Sequence, residues 1–406
     1  MIDKRTKEMV KATAPVLKEH SKEIGKRFYE MLFSKAPELY HLFNQTNQQR
    51  GIQQEALAYS VYAAGENIDQ LDRIKPLVAR VTEKHAALGV KAEQYPVVGE
   101  TLLEAVREVL GNDVATDEVI AAWKKAYDYI ADVFMEIEEG LYKEKEENSW
   151  LGFREFRIDK KVKETEEVTS FYLKPVDGKP IASYEPGQYL TLKAVIPGEK
   201  YTHMRHYSLS DAPNREYYRI SVKREKGSHG TPAGIVSTHL HDHVQEGDVL
   251  AFAAPSGDFT ITDERESPIV LISGGIGITP LLSMLKHLAE NESNRPVIFI
   301  HATANSSSYA LKDEVEQVVT SHKQVQAFVS YDKPTQEDRQ ARNFDKEGYI
   351  DLDWLTSILP GKEADFYYCG SIPFMKAVHE ALKEWGVPKE RLHYEVFNPI
   401  SILEEM

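Results

Sequence analysis

At 406 residues the chain is too long for a single hydrophobic core, so two or three domains are expected, and 42% hydrophobic with 28% charged residues places it among ordinary globular proteins. A formal net charge of −15 argues against nucleic-acid or anionic-membrane partners, which need a basic face. The one cysteine, Cys369, excludes an internal disulfide framework and any cysteine-ligated zinc or iron–sulfur site.

The amino terminus, MIDKRTKEMVKA, lacks the apolar centre of a signal peptide, and no apolar run approaches the ~20 residues that span a bilayer. A cytoplasmic monomer with small-molecule partners and no obligatory membrane is the expectation. Segments 51–68, 76–88 and 97–110 read as helices separated by Gly, Pro and Asn breaks. In 118–142, Trp123, Tyr127, Ile130, Phe134, Ile137 and Leu141 recur at helical spacing and predict one buried face. KEKEENS (143–149) reads as a frayed helix end running into a linker. Nothing in 1–145 reads as a strand.

From Phe153 the pattern turns to β. GQYLTLKAVI (187–196) alternates, YRISVKRE (218–225) is strand-like, and DGKP and EGD are turn signals, so 153–262 predicts a small antiparallel barrel or sandwich. From Ser267 strands alternate with helices: PIVLIS, GGIGITP, a helix from Leu281, then PVIFIHAT, QVQAFVSY and DFYYCG. That order predicts a parallel sheet flanked by helices. The expected fold is therefore multidomain, with all-α (1–147), antiparallel β-barrel (150–262) and α/β (266–406) segments.

GGIGITP lies between a strand and a helix, the context of a phosphate loop, though Pro280 stands where a third glycine is usual. Gly274, Gly275 and Gly277 would let backbone N–H groups approach a pyrophosphate, Thr279 would cap the helix, and Pro280 suits its first turn. By itself the stretch could be only a turn. In RHYSLS, Arg205 offers a donor fork, Tyr207 a ring face and Ser208 a hydroxyl, with His206 between them; alone, a surface strand with an arginine explains it equally well.

Together these motifs resemble the ferredoxin-reductase-like flavin reductases. The resemblance implies an FAD site at Tyr189, Arg205, His206, Tyr207, Ser208, Gly234 and Ser237. It implies a nicotinamide site at Gly274, Gly275, Gly277, Thr279, Pro280, Cys369 and Gly370, for NADH or NADPH. No clear arginine follows HATANSSS to take a 2′-phosphate, which leans toward NADH.

His85 is four after Val81 and three before Leu88, on an apolar stripe where a core histidine is the commoner finding. Gln53 and Leu57 share a helix face; Tyr29 and Phe43 flank the Pro37 break. Each alone could be plain core. With HLFN, QQEAL and KHAALGV in front of a flavin reductase, the whole chain resembles the flavohemoglobins. That resemblance implies haem b with His85 as proximal iron ligand, Tyr29 and Gln53 as donors to bound O₂, and Phe43 and Leu57 as walls. Glu138, four after Phe134, and Tyr95 would increase electron donation by His85. Lys84 and Glu395 would join a network between haem and flavin. Phe397, with Asn398 and Pro399 in YEVFNPI, would cover the flavin, although Asn398 stands where relatives usually have glycine. The implied activity is NAD(P)H-dependent conversion of NO and O₂ to nitrate. The rival expectations are a gas store or sensor, and a general flavin or ferric reductase.

Overall fold

The structure, a computed structural model, describes residues 2–43, 52–70, 74–227, 232–261, 267–291 and 294–397. Two compact units emerge: Met1–Gly152 together with Lys193–Arg205, and Phe153–Leu192 with the described residues from His206 on.

The first unit is helical. Its α-helices among the described residues are α1 (Lys4–Glu19), α2 (Ser21–Lys35), α3 (Ile52–Glu66), α4 (Lys75–Leu88), α5 (Tyr95–Leu110) and α6 (Asp117–Asn148). Asp3 starts α1 by accepting the Thr6 amide, and Thr116 starts α6 by accepting that of Val119. Gly89 ends α4 in the left-handed region, returning its N–H to the His85 carbonyl. Val10, Phe28, Leu32, Leu102, Val106 and Trp123 form the core where α1, α2, α5 and α6 meet.

Helix α6 departs from expectation in two ways. It continues through KEKEEN to Asn148 rather than fraying near 142. Its anticipated stripe also breaks: Ile137 is 38% exposed while its neighbour Glu138 is 3% exposed. Periodicity placed the isoleucine inside, but the carboxylate has hydrogen-bond partners there, which reverses the usual order of burial.

The second part of the chain forms strands β1 (Arg154–Lys163), β2 (Val168–Pro175), β3 (Tyr189–Ala194), β4 (His203–Ser208), β5 (Tyr218–Lys223) and β6 (Val249–Phe252), in the order β4-β3-β6-β1-β2-β5. β1 runs antiparallel to β2 and β6, and β2 to β5. A bridge between Leu209 and Ile220 links the ends of that order, so the sheet closes into a barrel. On β3, Tyr189 through Leu192 are all buried, because both faces of this interior strand are covered. Helix α7 (Ile235–Asp242) follows β5.

The α/β part orders its strands β10-β9-β8-β7-β11-β12, with parallel pairing throughout. Here β7 is Ile269–Gly274, β8 Val297–Thr303, β9 Val325–Tyr331, β10 Lys346–Glu347, β11 Asp365–Cys369 and β12 Leu392–Glu395. The flanking helices are α8 (Ile278–Asn291), α9 (Lys312–Ser321), α10 (Gln336–Ala341), α11 (Leu352–Ile358) and α12 (Ile372–Glu384). From β7 the chain builds outward through β8, β9 and β10, then returns to place β11 on its other side. The crevice beyond the carboxyl ends of β7 and β11 is therefore the topological switch point, where open α/β sheets bind ligands.

Arg219, almost wholly buried, pairs with Glu314 at 2.5 Å, and Lys286 bonds both Glu314, at 3.0 Å, and Asp211. This network ties the barrel strand β5 to α8 and α9. Removing one member would strand the others as buried charges.

Candidate functional site

Helix α4 delivers His85 to a buried carboxylate. The His85 Nδ1 lies 2.7 Å from Glu138 Oε1 and 3.1 Å from the Tyr95 hydroxyl, which itself donates to the same Oε1 at 2.6 Å. Burial first, and the hydrogen bond to Glu138 second, push the Tyr95 hydroxyl far above its ordinary range, so it stays a donor. Tyr95 is fixed in turn at the start of α5, where its carbonyl accepts from Tyr127 at 2.8 Å. Tyr142 on α6 donates to the Val90 carbonyl at 2.5 Å and steadies the end of α4. In the tautomer that donates from Nδ1, Nε2 is the nitrogen left with a lone pair. The His85 side chain is 31% exposed, and its ring packs 6.2 Å from Phe134. An imidazole turned by a carboxylate in this way fits a haem-iron ligand.

A second cluster gathers Tyr29, Phe33 and Phe43. Tyr29 is buried on α2, with ring centroids 5.7 Å from Phe33 and 5.4 Å from Phe43. Phe43 and Leu57 pack half-buried against this core, and Gln53 lies half-buried one turn before Leu57 on α3. The segment between Phe43 and α3 falls outside the described residues.

In the barrel, neighbouring strands β3 and β4 bring Tyr189 and His206 together at 4.7 Å, and the Thr191 hydroxyl lies 2.8 Å from His206 Nδ1. Arg205 donates to the Met204 carbonyl at 2.7 Å; Tyr207 is half-buried and Ser208 buried. Ser237 closes the turn into α7, where its hydroxyl accepts the Glu225 amide at 3.1 Å and donates to the Gly234 carbonyl at 3.2 Å. Its hydroxyl is thus occupied by the turn in this structure.

At the switch point the three glycines serve three different needs. Gly275 has φ +53°, with open space where a side chain would stand. A Cβ on Gly277 would overlap the Cys369 carbonyl oxygen, so this glycine lets the loop pack on the end of β11. A Cβ on Gly274 would lie 2.7 Å from the ring of Phe374, which also rests on Gly370. Phe374, in the first turn of α12, escaped the sequence reading; its aromatic ring four residues past Gly370 was the available signal. An open glycine loop at the carboxyl ends of β7 and β11 fits a dinucleotide phosphate.

Thr279 was expected as a helix cap, but α8 begins at Ile278, and the Thr279 hydroxyl donates back to the Ile276 carbonyl at 3.0 Å. Pro280 lies in the first turn of α8. Cys369 is fully buried; burial first, then Glu395 alongside it in the β11–β12 register, push its thiol up. What Cys369 presents to the loop is its carbonyl. Lys84 is half-buried and makes no ion pair among the described residues. Phe397 is 46% exposed, and Asn398 and Pro399 lie outside the described residues.

The sequence matches three family models: globin over residues 26–134, oxidoreductase FAD-binding domain over 155–261, and oxidoreductase NAD-binding domain over 271–380. It is 52% identical to the flavohemoprotein of Halalkalibacterium halodurans, covering 99% of this chain and 98% of that one. It is also 52% identical to the flavohemoprotein of Bacillus anthracis, over the full length of both.

The chain belongs to the flavohemoprotein family.

Among solved structures, flavohemoglobin from Malassezia yamatoensis with bound FAD and heme superposes with a TM-score of 0.86 at 27% identity, covering 98% of this chain and all of that one. The FAD/NAD-binding domain of a nitric oxide dioxygenase from Vibrio cholerae matches 61% of this chain and 99% of its own, at 39% identity and a TM-score of 0.55. As a flavohemoprotein, the chain is an oxidoreductase that joins a globin to FAD-binding and NAD-binding domains, as expected from the sequence. None of its described helices is long and apolar enough to cross a membrane.

Proposed function

We propose that this flavohemoprotein is an NAD(P)H-dependent nitric oxide dioxygenase, with residues 1–147 holding haem, 150–262 FAD and 266–406 the nicotinamide. The observation that carries the reading is the His85–Glu138–Tyr95 group. An oxygen store does not need a proximal histidine backed by a buried carboxylate, whereas repeated oxidative turnover benefits from the added electron donation. The nitric oxide dioxygenase among the similar solved structures supports the same choice.

When bound, the nicotinamide supplies a hydride, the flavin divides it into single electrons, and the haem iron is where O₂ and NO react. The chain's own residues do the rest. Glu138 and Tyr95 hold the Nδ1 side of His85, fixing the tautomer and ring plane. With haem in place, Tyr29 and Gln53 would offer hydrogen-bond donors to a diatomic ligand, and Phe43 and Leu57 would keep water away. Arg205, Ser208, Gly234 and the turn that Ser237 closes would hold the flavin phosphates, and Tyr189, His206 and Tyr207 its rings, with Phe397 as cover. Gly274, Gly275, Gly277, Thr279 and Pro280, with Cys369 and Gly370, would receive the dinucleotide.

The test is NADH consumption by the full chain under air, with and without NO. NO should accelerate NADH oxidation with nitrate as product, and Tyr29→Phe should lower that rate about tenfold, the worth of one hydrogen bond to a charged acceptor. NADH oxidation indifferent to NO would leave a reductase or a gas-binding protein as the better description.

A further inference from the structure

The Tyr29–Phe43 cluster is continuous with an aromatic stack that leads away from it. Phe33 packs against both residues, its ring centroid 5.7 Å from Tyr29 and 5.4 Å from Phe43. On its other side Phe33 stacks on Tyr40 at 3.9 Å and 28°. Tyr40 stacks in turn on Tyr201 at 4.8 Å and 12°, the two rings nearly parallel. Tyr40 belongs to the 3₁₀ turn Pro37–His41, and Tyr201 to the connection between β3 and β4 that is part of the first compact unit.

The stack is anchored by polar contacts at its far end. The Thr202 amide donates to His41 Nδ1 at 3.1 Å, with the Thr202 hydroxyl 3.0 Å from the same nitrogen. The His41 ring meets Tyr201 edge-on at 5.3 Å, and Lys200 Nζ lies over the Tyr201 ring, 4.9 Å from its centroid. Tyr201, Tyr40, Phe33 and Phe43 are all half-buried, so Tyr29 is the only deeply buried ring of the series. A 3₁₀ turn this short has only a few backbone hydrogen bonds to hold it. Its side chains stay in place because flat rings on both sides admit few alternative packings.

We propose that Tyr201 is a positioning residue for the gas pocket: through Tyr40 and Phe33 it holds the Tyr29 hydroxyl and the Phe43 ring in their working orientations. This rests on the reading of Tyr29 and Phe43 as residues that face the diatomic ligand. Without the Tyr201 ring, Tyr40 loses one stacking face, Phe33 gains freedom, and Tyr29 and Phe43 lose the wall they share. The stack depends on the ring and not on the hydroxyl, so the conservative change should be silent.

The experiment compares Tyr201→Ala, Tyr201→Phe and Tyr29→Phe in the full chain. Two measurements are made: amide hydrogen exchange over residues 33–43 before haem loading, and the O₂ release rate after it. Tyr201→Ala should speed both by about threefold to tenfold, the range that aromatic stacking energies correspond to, with FAD content unchanged. Tyr201→Phe should match the parent in both. Should Tyr201→Ala lose FAD by disturbing the strands on either side, Tyr40→Leu repeats the test from the helical side. Unchanged O₂ release in Tyr201→Ala, with or without faster exchange, refutes the positioning role provided that Tyr29→Phe itself speeds release. If Tyr29→Phe has no effect, the reading of Tyr29 as a ligand donor is wrong and this proposal falls with it.

Discussion

Replacing Glu138 by Gln isolates the electrostatic part of the proximal site. The side chain keeps its length and its acceptor oxygen, so the contacts to His85 Nδ1 at 2.7 Å and to the Tyr95 hydroxyl at 2.6 Å can persist. What disappears is a full negative charge on a group only 3% exposed. A hydrogen bond to a charged partner is worth about 1.5–3 kcal/mol and to a neutral one about 0.5–1.5 kcal/mol, so the change at Nδ1 is about 1.4 kcal/mol. For a one-electron couple that is a ceiling of about 60 mV, because only the part that differs between ferric and ferrous haem counts. A carboxylate makes imidazole a stronger donor and favours ferric iron. Its loss should therefore raise the haem potential, by about 30–60 mV. A spectroelectrochemical titration of the haem absorption band in parent and variant measures this directly. Flavin content should be unchanged and thermal stability nearly so, since neutralising a buried charge while retaining the acceptor costs little. A potential within about 10 mV of the parent, or a shift to lower values, would refute the claim that Glu138 acts through His85.

Three further outcomes follow from particular contacts. His85→Ala should abolish stable haem incorporation and leave FAD bound; normal haem content would end the proximal assignment. Gly277→Ala forces a Cβ into the Cys369 carbonyl, so NADH-driven ferricyanide reduction should drop about tenfold or more while haem content holds, overpacking of this kind costing about 1–3 kcal/mol. A normal rate would mean that the loop does not depend on its seat against β11. Burial pushes the His301 imidazole from 6.5 down to about 3, with Nδ1 2.7 Å from the Ser273 hydroxyl. Below 6.5 the unfolded chain takes up a proton that the folded chain refuses, so this contribution is present above that pH and is lost as pH falls toward 3. Between about pH 7 and about pH 5 His301 should account for about 2 kcal/mol of lost stability, and His301→Asn should flatten the denaturant-midpoint profile by that amount. An identical profile in the variant would assign the acid sensitivity elsewhere.

Local chemistry made much of this protein legible in its sequence. Helices α3 to α6 announce themselves by apolar spacing and by Gly and Pro breaks, and the α/β strands by short apolar runs before glycine turns. Both signals are local, because hydrogen bonds within helices and the pleat of strands impose fixed periods on side chains. The loop GGIGITP could be placed between a strand and a helix for the same reason, and His85, Tyr29 and Cys369 stood out through family motifs. Periodicity failed at Ile137 and Glu138, since a carboxylate is buried only when partners from elsewhere in the chain receive it, and those partners are 53 and 43 residues away in the chain.

What the sequence determined by itself was therefore element type, the order of the three parts and the identity of the chemical groups. What the tertiary structure decided was which groups meet. It closed the barrel through Leu209 and Ile220, gave the glycines of one loop three different tasks, and laid Phe374 across two of the site's glycines. It also set Tyr201 against Tyr40, across 161 residues of His41–Thr202 separation. Contacts of that kind depend on the shape left between packed elements. Close packing selects that shape over the whole chain at once, and no short window of residues contains it.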